Sequence, residues 1–386
     1  LIAMRLQRSF SGVIIAAAGT GGHINPALAI ANKIKQEEPN SEIIFVGTDR
    51  GLENDLIPRA GYDLKRIEAY GFNRKISLDN VKKMYKTFKS IGQAKKIIQD
   101  FKPDIMIGTG GYICLPVALA ASKLNVPIVL HESNAFPGVA IKMLSKKASA
   151  ILVGFEDAKK RIKNAENVVV VGNPSKVKEI SFTNSQKEKI LKEIGLTDIE
   201  KPIVLVFGGS QGAQKINESF INIISKKVNE KYQIIWATGP NQYEIIKTKL
   251  QNLNINIDNI PNVKIVPYIY NMEEVMNCVD LVVSRSGAMT ITEISIVGKP
   301  SIFIPFPYAT ENHQEYNAKV LEKVGAAKII LDADLDFNIL NSTINEIISD
   351  KEKMCRMSEN AHAVEIKNVE DKIYVELRRI MEMEKH

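Results

Sequence analysis

The sequence has 386 residues, 45% hydrophobic and 25% charged, with a formal net charge of +7. That length suits two domains of ordinary globular composition. The charge fits phosphates or acidic lipid heads but is too mild to imply nucleic acid, and no apolar run reaches the roughly 18–20 residues of a membrane span.

The first predicted strand, 13–18, is too short for a signal-peptide core and leads straight into Gly19-Thr20-Gly21-Gly22-His23. Residues before Gly12 read as a loose tail. A helix over 25–37 follows, with Pro26 tolerated in its first turn. Glycines let backbone amides approach an anion, and a helix start adds free N–H groups and a positive dipole end. The plainer alternative is a tight turn that holds nothing. A P-loop would need Gly-Lys-Ser/Thr where His23 and Ile24 stand, and the dinucleotide pattern G-x-G-x-x-G fails at Ile24. Asp49, after a second strand at 42–46, imitates the ribose-binding acid of that pattern and keeps an oxidoreductase open.

Residues 72–89 mix basic and apolar side chains, including Lys82, Lys83, Met84, Tyr85, Lys86, Phe88 and Lys89. Such a stretch suits an anionic membrane surface; it also suits an ordinary amphipathic helix with solvated lysines. A strand at 104–107 precedes Gly108-Thr109-Gly110-Gly111-Tyr112, a helix spans 116–124, and a strand at 127–130 precedes His131-Glu132-Ser133-Asn134. A further strand at 168–171 runs into Gly172-Asn173-Pro174, where the domains join.

The grammar then restarts. A strand at 203–207 enters Gly208-Gly209-Ser210-Gln211-Gly212-Ala213, which offers amides and a hydroxyl to phosphate, and a helix covers 214–226. Strands at 233–236, 263–266, 281–283 and 301–304 follow. After the third of these comes Ser284-Arg285-Ser286-Gly287-Ala288-Met289-Thr290, then Glu293. Thr290 and Glu293 have capping-box spacing, while Arg285 suits a diphosphate and Glu293 ribose hydroxyls. Pro305-Phe306-Pro307-Tyr308, His313-Gln314 and Asn317 bring amide and imidazole groups of the kind that meet sugar hydroxyls. Three of the five histidines, His23, His131 and His313, sit just past predicted strands, where α/β folds bind ligands. A helix over 371–383 packs back on the first half. Short apolar strands alternating with helices give a doubly wound α/β fold in each half. The three cysteines, Cys114, Cys278 and Cys355, are far apart and lack metal-ligand spacing, so a reducing cytoplasm is the simplest setting.

Five motifs in order carry a family resemblance: Gly19 to His23, His131-Glu132-x-Asn134, Gly208 to Ala213, Arg285-Ser286-Gly287-Ala288 with Glu293, and His313-Gln314-x-x-Asn317-Ala318. From Val13 to the last helix the chain resembles the MurG family of bacterial N-acetylglucosaminyltransferases, in glycosyltransferase family 28. The resemblance implies the GT-B architecture, two Rossmann-like domains facing across a cleft. Residues 1–172 would form an acceptor and membrane-facing domain, 173–365 a UDP-GlcNAc-binding domain, and 366–386 a helix returning to the first.

It further implies inverting transfer of GlcNAc from UDP-GlcNAc to the C4 hydroxyl of undecaprenyl-linked lipid I, for peptidoglycan synthesis, at the cytoplasmic face of the cell membrane and without cofactor or metal. By position, the Ile269 backbone would read uracil, Glu293 hold ribose, and Ser210 and Gln211 touch phosphate. Gln314 and Asn134 would hold GlcNAc. His23, with Thr20, Gly21 and Gly22, would face the acceptor and its diphosphate. The amides from Ser210 to Gly212 and Arg285 would stabilise the leaving group.

His23 is the first candidate for the base that deprotonates the acceptor; the alternative is that it orients phosphate or packs the loop. Ala18 replaces a glycine usual in the family, Ser133 a glutamine, and Lys176 a common arginine. Lysine meets phosphate as a point charge, without the bidentate fork. The one Asp-x-Asp candidate for a metal, Asp332-Ala333-Asp334, is expected to lie away from these motifs. Other readings are a different GT-B transferase, a UDP-GlcNAc epimerase, a dinucleotide-dependent oxidoreductase and a noncatalytic sugar-nucleotide binder.

Overall fold

The computed structural model describes residues 9–70, 78–196, 198, 200–209, 212–257, 260 and 262–383, with backbone alone at 78–85, 87 and 88. The chain divides into two compact units, Leu1–Ser175 with Ile366–His386, and Lys176–Glu365.

Among the described residues the first unit holds a parallel sheet of β1 (Gly12–Ala16), β2 (Glu42–Gly47), β3 (Asp63–Arg66), β4 (Ile105–Gly108), β5 (Ile128–Glu132), β6 (Ala150–Val153) and β7 (Val168–Val170), in the order β3-β2-β1-β4-β5-β6-β7. Side chains alternate along β1. Val13 and Ile15 pack in one layer with Ile24 and Ile30, whereas Ile14 and Ala16 pack in the other with Val117 and Ala121. Burial on both faces explains why these strands read as continuous apolar runs.

The helix Val369–Met383 completes the first layer through Ile373, Leu377 and Ile380. Its polar face is tied to the helix Gly21–Glu37: Lys33 Nζ lies 2.6 Å from Asp371 Oδ1, and Tyr374 Oη and Arg378 Nη1 donate to Glu38 Oε1 at 2.7 and 2.9 Å. Glu38 also accepts from the Phe10 amide. Burial, and donation to Glu38, push the Tyr374 phenol up to about 12.

The second unit holds β8 (Ile203–Phe207), β9 (Gln233–Ala237), β10 (Val263–Val266), β11 (Leu281–Ser284), β12 (Ser301–Phe303) and β13 (Ala327–Ile329), parallel and in the order β10-β9-β8-β11-β12-β13. In both sheets the chain winds outward from the first strand and then restarts on its other side. The switch points therefore lie between β1 and β4 and between β8 and β11, the places where open α/β sheets bind ligands at the carboxyl ends.

The structure revises several expectations. The first helix starts at Gly21, not at 25, so Pro26 falls in its second turn and cannot donate to the Gly22 carbonyl. The helix Ala288–Val297 takes Gly287 as N-cap with no side-chain cap, so Thr290 and Glu293 form no capping box. Asp49 is exposed and paired with Arg50 at 3.1 Å, not turned toward a nucleotide loop.

Candidate functional site

In the first unit, the loops after β1 and β4 meet at the switch point. Gly19 has φ +100°, and its amide donates to Glu53 Oε2 at 2.9 Å. Glu53 is fully buried and also accepts from the Thr48 amide (3.1 Å) and hydroxyl (2.7 Å). Burial alone would raise its carboxyl, but these hydrogen bonds outweigh it and hold the group below the ordinary range. Glu53 thus fixes the loop, a role the sequence reading gave to no residue. No spacing marks it; the acid considered there was Asp49.

Thr20 caps the helix Gly21–Glu37 without a side-chain hydrogen bond, and no acid occupies the first turn. Among the described residues, no backbone–backbone hydrogen bond uses the Gly21 or Gly22 amide. Two free amides and the dipole end suit an anion. His23 follows. Its Nδ1 lies 3.4 Å from the Ala18 carbonyl and its own carbonyl accepts from Thr109 Oγ1 at 2.8 Å. Donation to that carbonyl requires the tautomer with the proton on Nδ1, in which Nε2 is the basic nitrogen. Gly110, at φ +119°, lets the ring approach: a Cβ there would come within 2.6 Å of His23 Cδ2.

The motif after β5 is differently used. His131 is fully buried; its Nε2 bonds the Gly172 carbonyl at 3.1 Å, and desolvation lowers its pKa to about 4, so it is neutral. It braces the fold instead of facing a ligand. Glu132 accepts from the Asn134 amide (2.8 Å) and side chain (3.0 Å) and from the Gly138 amide (2.7 Å), while burial raises its pKa. Asn134 is thereby oriented at the strand end.

In the second unit, the loop after β8 is tight. A Cβ at Gly208 would meet the Ala213 amide at 2.3 Å, and one at Gly212, with φ +75°, the Thr238 carbonyl at 2.4 Å. Ser210 and Gln211 lie outside the described residues. The helix Gln214–Ser225 opens without side-chain cap or acid in its first turn, as does Ala288–Val297, which follows the neighbouring strand β11. Three loops around β11 and β12 lock together. Ser286 Oγ donates to the Gln314 carbonyl (2.8 Å), Asn317 Nδ2 to the Ser286 carbonyl (3.2 Å), and the Phe306 amide to Gln314 Oε1 (3.0 Å). Because Oε1 accepts, the amide nitrogen is the group Gln314 has left to donate.

Arg285 Nη1 is committed to Asp332 Oδ1 (2.6 Å) and to the Ile304 and Pro305 carbonyls (3.0 and 3.1 Å). Asp332 therefore sits within the site loops, contrary to the expected separation. It serves as an arginine brace, also within 3.6 Å of Lys215 Nζ. No cluster of three or more His, Cys, Asp or Glu side chains able to hold a metal occurs among the described residues.

Glu293, half-buried, has no hydrogen-bond or ion-pair partner among the described residues, and desolvation raises its pKa to about 7. Ile269 buries its side chain, while no backbone–backbone hydrogen bond among the described residues uses its N–H or C=O. Tyr268 and Tyr270 flank it in an edge-to-face pair 5.0 Å apart. His313 donates from Nδ1 to the Thr310 carbonyl at 2.7 Å, and desolvation lowers its pKa. Lys176 is exposed at the start of the second unit.

Two family models match the chain: the glycosyltransferase family 28 N-terminal domain at residues 13–153 and its C-terminal domain at 203–373. A relative from Acetivibrio thermocellus is 43% identical, covering 96% of this chain and 98% of its own. It is named UDP-N-acetylglucosamine--N-acetylmuramyl-(pentapeptide) pyrophosphoryl-undecaprenol N-acetylglucosamine transferase. Among solved structures, that of Acinetobacter baumannii MurG has a TM-score of 0.75 at 27% identity and covers 96% of this chain and 99% of its own. A Listeria monocytogenes protein described as a putative UDP-N-acetylglucosamine 2-epimerase has a TM-score of 0.68 at 14% identity, covering 97% of both chains, a likeness of fold alone.

Proposed function

Because the chain belongs to glycosyltransferase family 28, we propose that it transfers N-acetylglucosamine from UDP-GlcNAc to undecaprenyl-pyrophosphate-linked N-acetylmuramyl-pentapeptide, the lipid I to lipid II step of peptidoglycan synthesis. The observation that carries the donor half is the Glu293 carboxyl beside the β8–β11 switch point, which has no partner among the described residues. A vicinal diol supplies the donors such a carboxylate lacks, so Glu293 takes the ribose. Ile269 reads the uracil edge with its uncommitted N–H and C=O. The free amides at the starts of Gln214–Ser225 and Ala288–Val297, with Ser210 and Gln211, take the diphosphate and stabilise the charge it gains on leaving. Any contact from Arg285 uses Nε or Nη2, since Nη1 is spent on its brace. Gln314 donates its amide to the sugar, and Asn134 keeps the GlcNAc-holding role of the family pattern.

On the acceptor side, the Gly21 and Gly22 amides, with Thr20, take the acceptor diphosphate, and His23 Nε2 accepts the proton of the attacking hydroxyl. That hydroxyl attacks the anomeric carbon opposite UDP, through an oxocarbenium-like transition state by analogy with glycoside hydrolysis, inverting the linkage. Lys176 is a point charge for phosphate, where the family usually has arginine. Among the described residues no helix is long and apolar enough to cross a membrane. The enzyme works at the cytoplasmic face of the cell membrane, with the basic apolar stretch 72–89 against anionic lipid and no nucleic-acid partner. Residues 72–77 of that stretch lie outside the described ones. Calorimetric titration with UDP tests the donor half. Saturable heat at micromolar to low millimolar ligand is expected, and none at millimolar ligand overturns the reading.

A further inference from the structure

A basic aromatic stack in the first unit takes no part in the transfer chemistry above, although one of its members, Lys86, belongs to the stretch 72–89. The Arg50 guanidinium lies over the Tyr70 ring, 4.0 Å from its centroid, and Lys86 Nζ lies 5.1 Å from the same centroid and 3.5 Å from the phenol oxygen. Two cations on one ring repel each other, and among the described residues the acid paired with Arg50 is Asp49, exposed, 3.1 Å from Nε. Arg50 Nη2 donates to the Ala69 carbonyl at 2.6 Å. With Nε and Nη2 so engaged and the plane held on the ring, Nη1 has no partner among the described residues. The fork is pre-organised with one edge open, which is how arginine meets a carboxylate at low entropic cost.

The stack is wired to the first glycine loop. The segment carrying Arg50 sends the Leu52 amide to the Gly19 carbonyl at 3.3 Å, and one residue further Glu53 accepts from the Gly19 amide. Arg50 follows the carboxyl end of β2, and Tyr70 lies past β3, so the stack stands on the β2–β3 side of that loop. An acceptor of the class named above carries at least two anionic groups: a diphosphate, and a carboxylate at the end of its pentapeptide. With the diphosphate at the Gly21 and Gly22 amides, we infer that Arg50 and Lys86, stacked on Tyr70, bind a carboxylate of the acceptor's peptide. This rests on the proposed function and extends it to a peptide subsite.

The test uses the full chain and two short-chain, water-soluble acceptor analogues, one with free peptide carboxylates and one with them amidated. In the wild type, amidation is expected to lower acceptor kcat/KM about tenfold. Arg50→Gln should lose about tenfold on the free-carboxylate analogue and nothing more on the amidated one, with donor KM unchanged. Lys86→Gln, at an exposed position, should show the same pattern more weakly and carries the test should Arg50→Gln fail to fold. An equal loss on both analogues would place the diphosphate, not the peptide, at the stack and overturn the inference. So would unchanged kinetics with weaker binding to anionic vesicles, which would assign the stack to lipid headgroups. No wild-type transfer to either analogue would instead defeat the proposed function itself.

Discussion

Glu293 ties the donor site to pH. Its carboxyl, raised to about 7 by burial, is half protonated near neutrality, and only the ionised form accepts from both ribose hydroxyls. Donor binding therefore favours proton loss. Affinity for UDP should be full above pH 8 and fall below pH 7, approaching tenfold per pH unit as a limit. Glu293→Gln should weaken UDP binding about tenfold and remove that slope, read by calorimetry between pH 6 and 8; a slope that survives would exclude Glu293 as its source. At the acceptor loop, His23→Ala should lower kcat by roughly 10²- to 10⁴-fold with little change in donor KM, the range for loss of a general base. Near-normal turnover would leave His23 only the packing role its contact with Gly110 already shows.

The elements decide how firmly those residues are held. Glu38 gathers the Phe10 amide, Tyr374 and Arg378, and so fastens the last helix to the first. Glu38→Ala leaves Arg378, only 12% exposed, without its carboxylate. It should cost about 3 kcal/mol in denaturant unfolding, since removing one partner of a buried pair strands the other; a loss under about 0.5 kcal/mol would show the fastening to be merely apolar. Gly110→Ala should lower both stability and kcat, because the added methyl needs the His23 ring's place at a strained φ.

The strand, glycine-loop, helix grammar was readable because central strands buried on both faces are uninterrupted apolar runs. The edge strands β3, Asp-Leu-Lys-Arg, and β13, three residues long, have no such signature, and β6, although Gly154 ends it, opens from Ser149 with no glycine or proline before it. The loops proposed to hold ligands were legible as glycine and amide motifs. The acids Glu53 and Asp332 that shape them were not, because they act through contacts at unrelated spacings: Glu53 reaches back 34 residues to Gly19, and Asp332 meets Arg285 from the far side of two strands. His131 was misread for the same reason, since only the fold shows the Gly172 carbonyl that absorbs its ring nitrogen.

For the molecule as a whole, the net charge of +7 and the basic stretch 72–89 bear on where it works. Each lysine near an anionic bilayer is worth about 1 kcal/mol, so replacing Lys82 and Lys83 with glutamate should cut sedimentation with anionic vesicles at least tenfold while sparing neutral ones; unchanged sedimentation would return that stretch to an ordinary solvated helix face. Both units are parallel sheets with anion-ready helix starts at their switch points, an architecture that transferases share with epimerases. Shape alone does not separate the two chemistries; the acceptor does. The most direct test follows radiolabel from UDP-GlcNAc into a short-chain lipid I analogue. Label should appear in the lipid-linked product only when both substrates are present, with UDP released in equal amount. Conversion of the sugar nucleotide without acceptor, or no incorporation at saturating acceptor, would contradict the assignment.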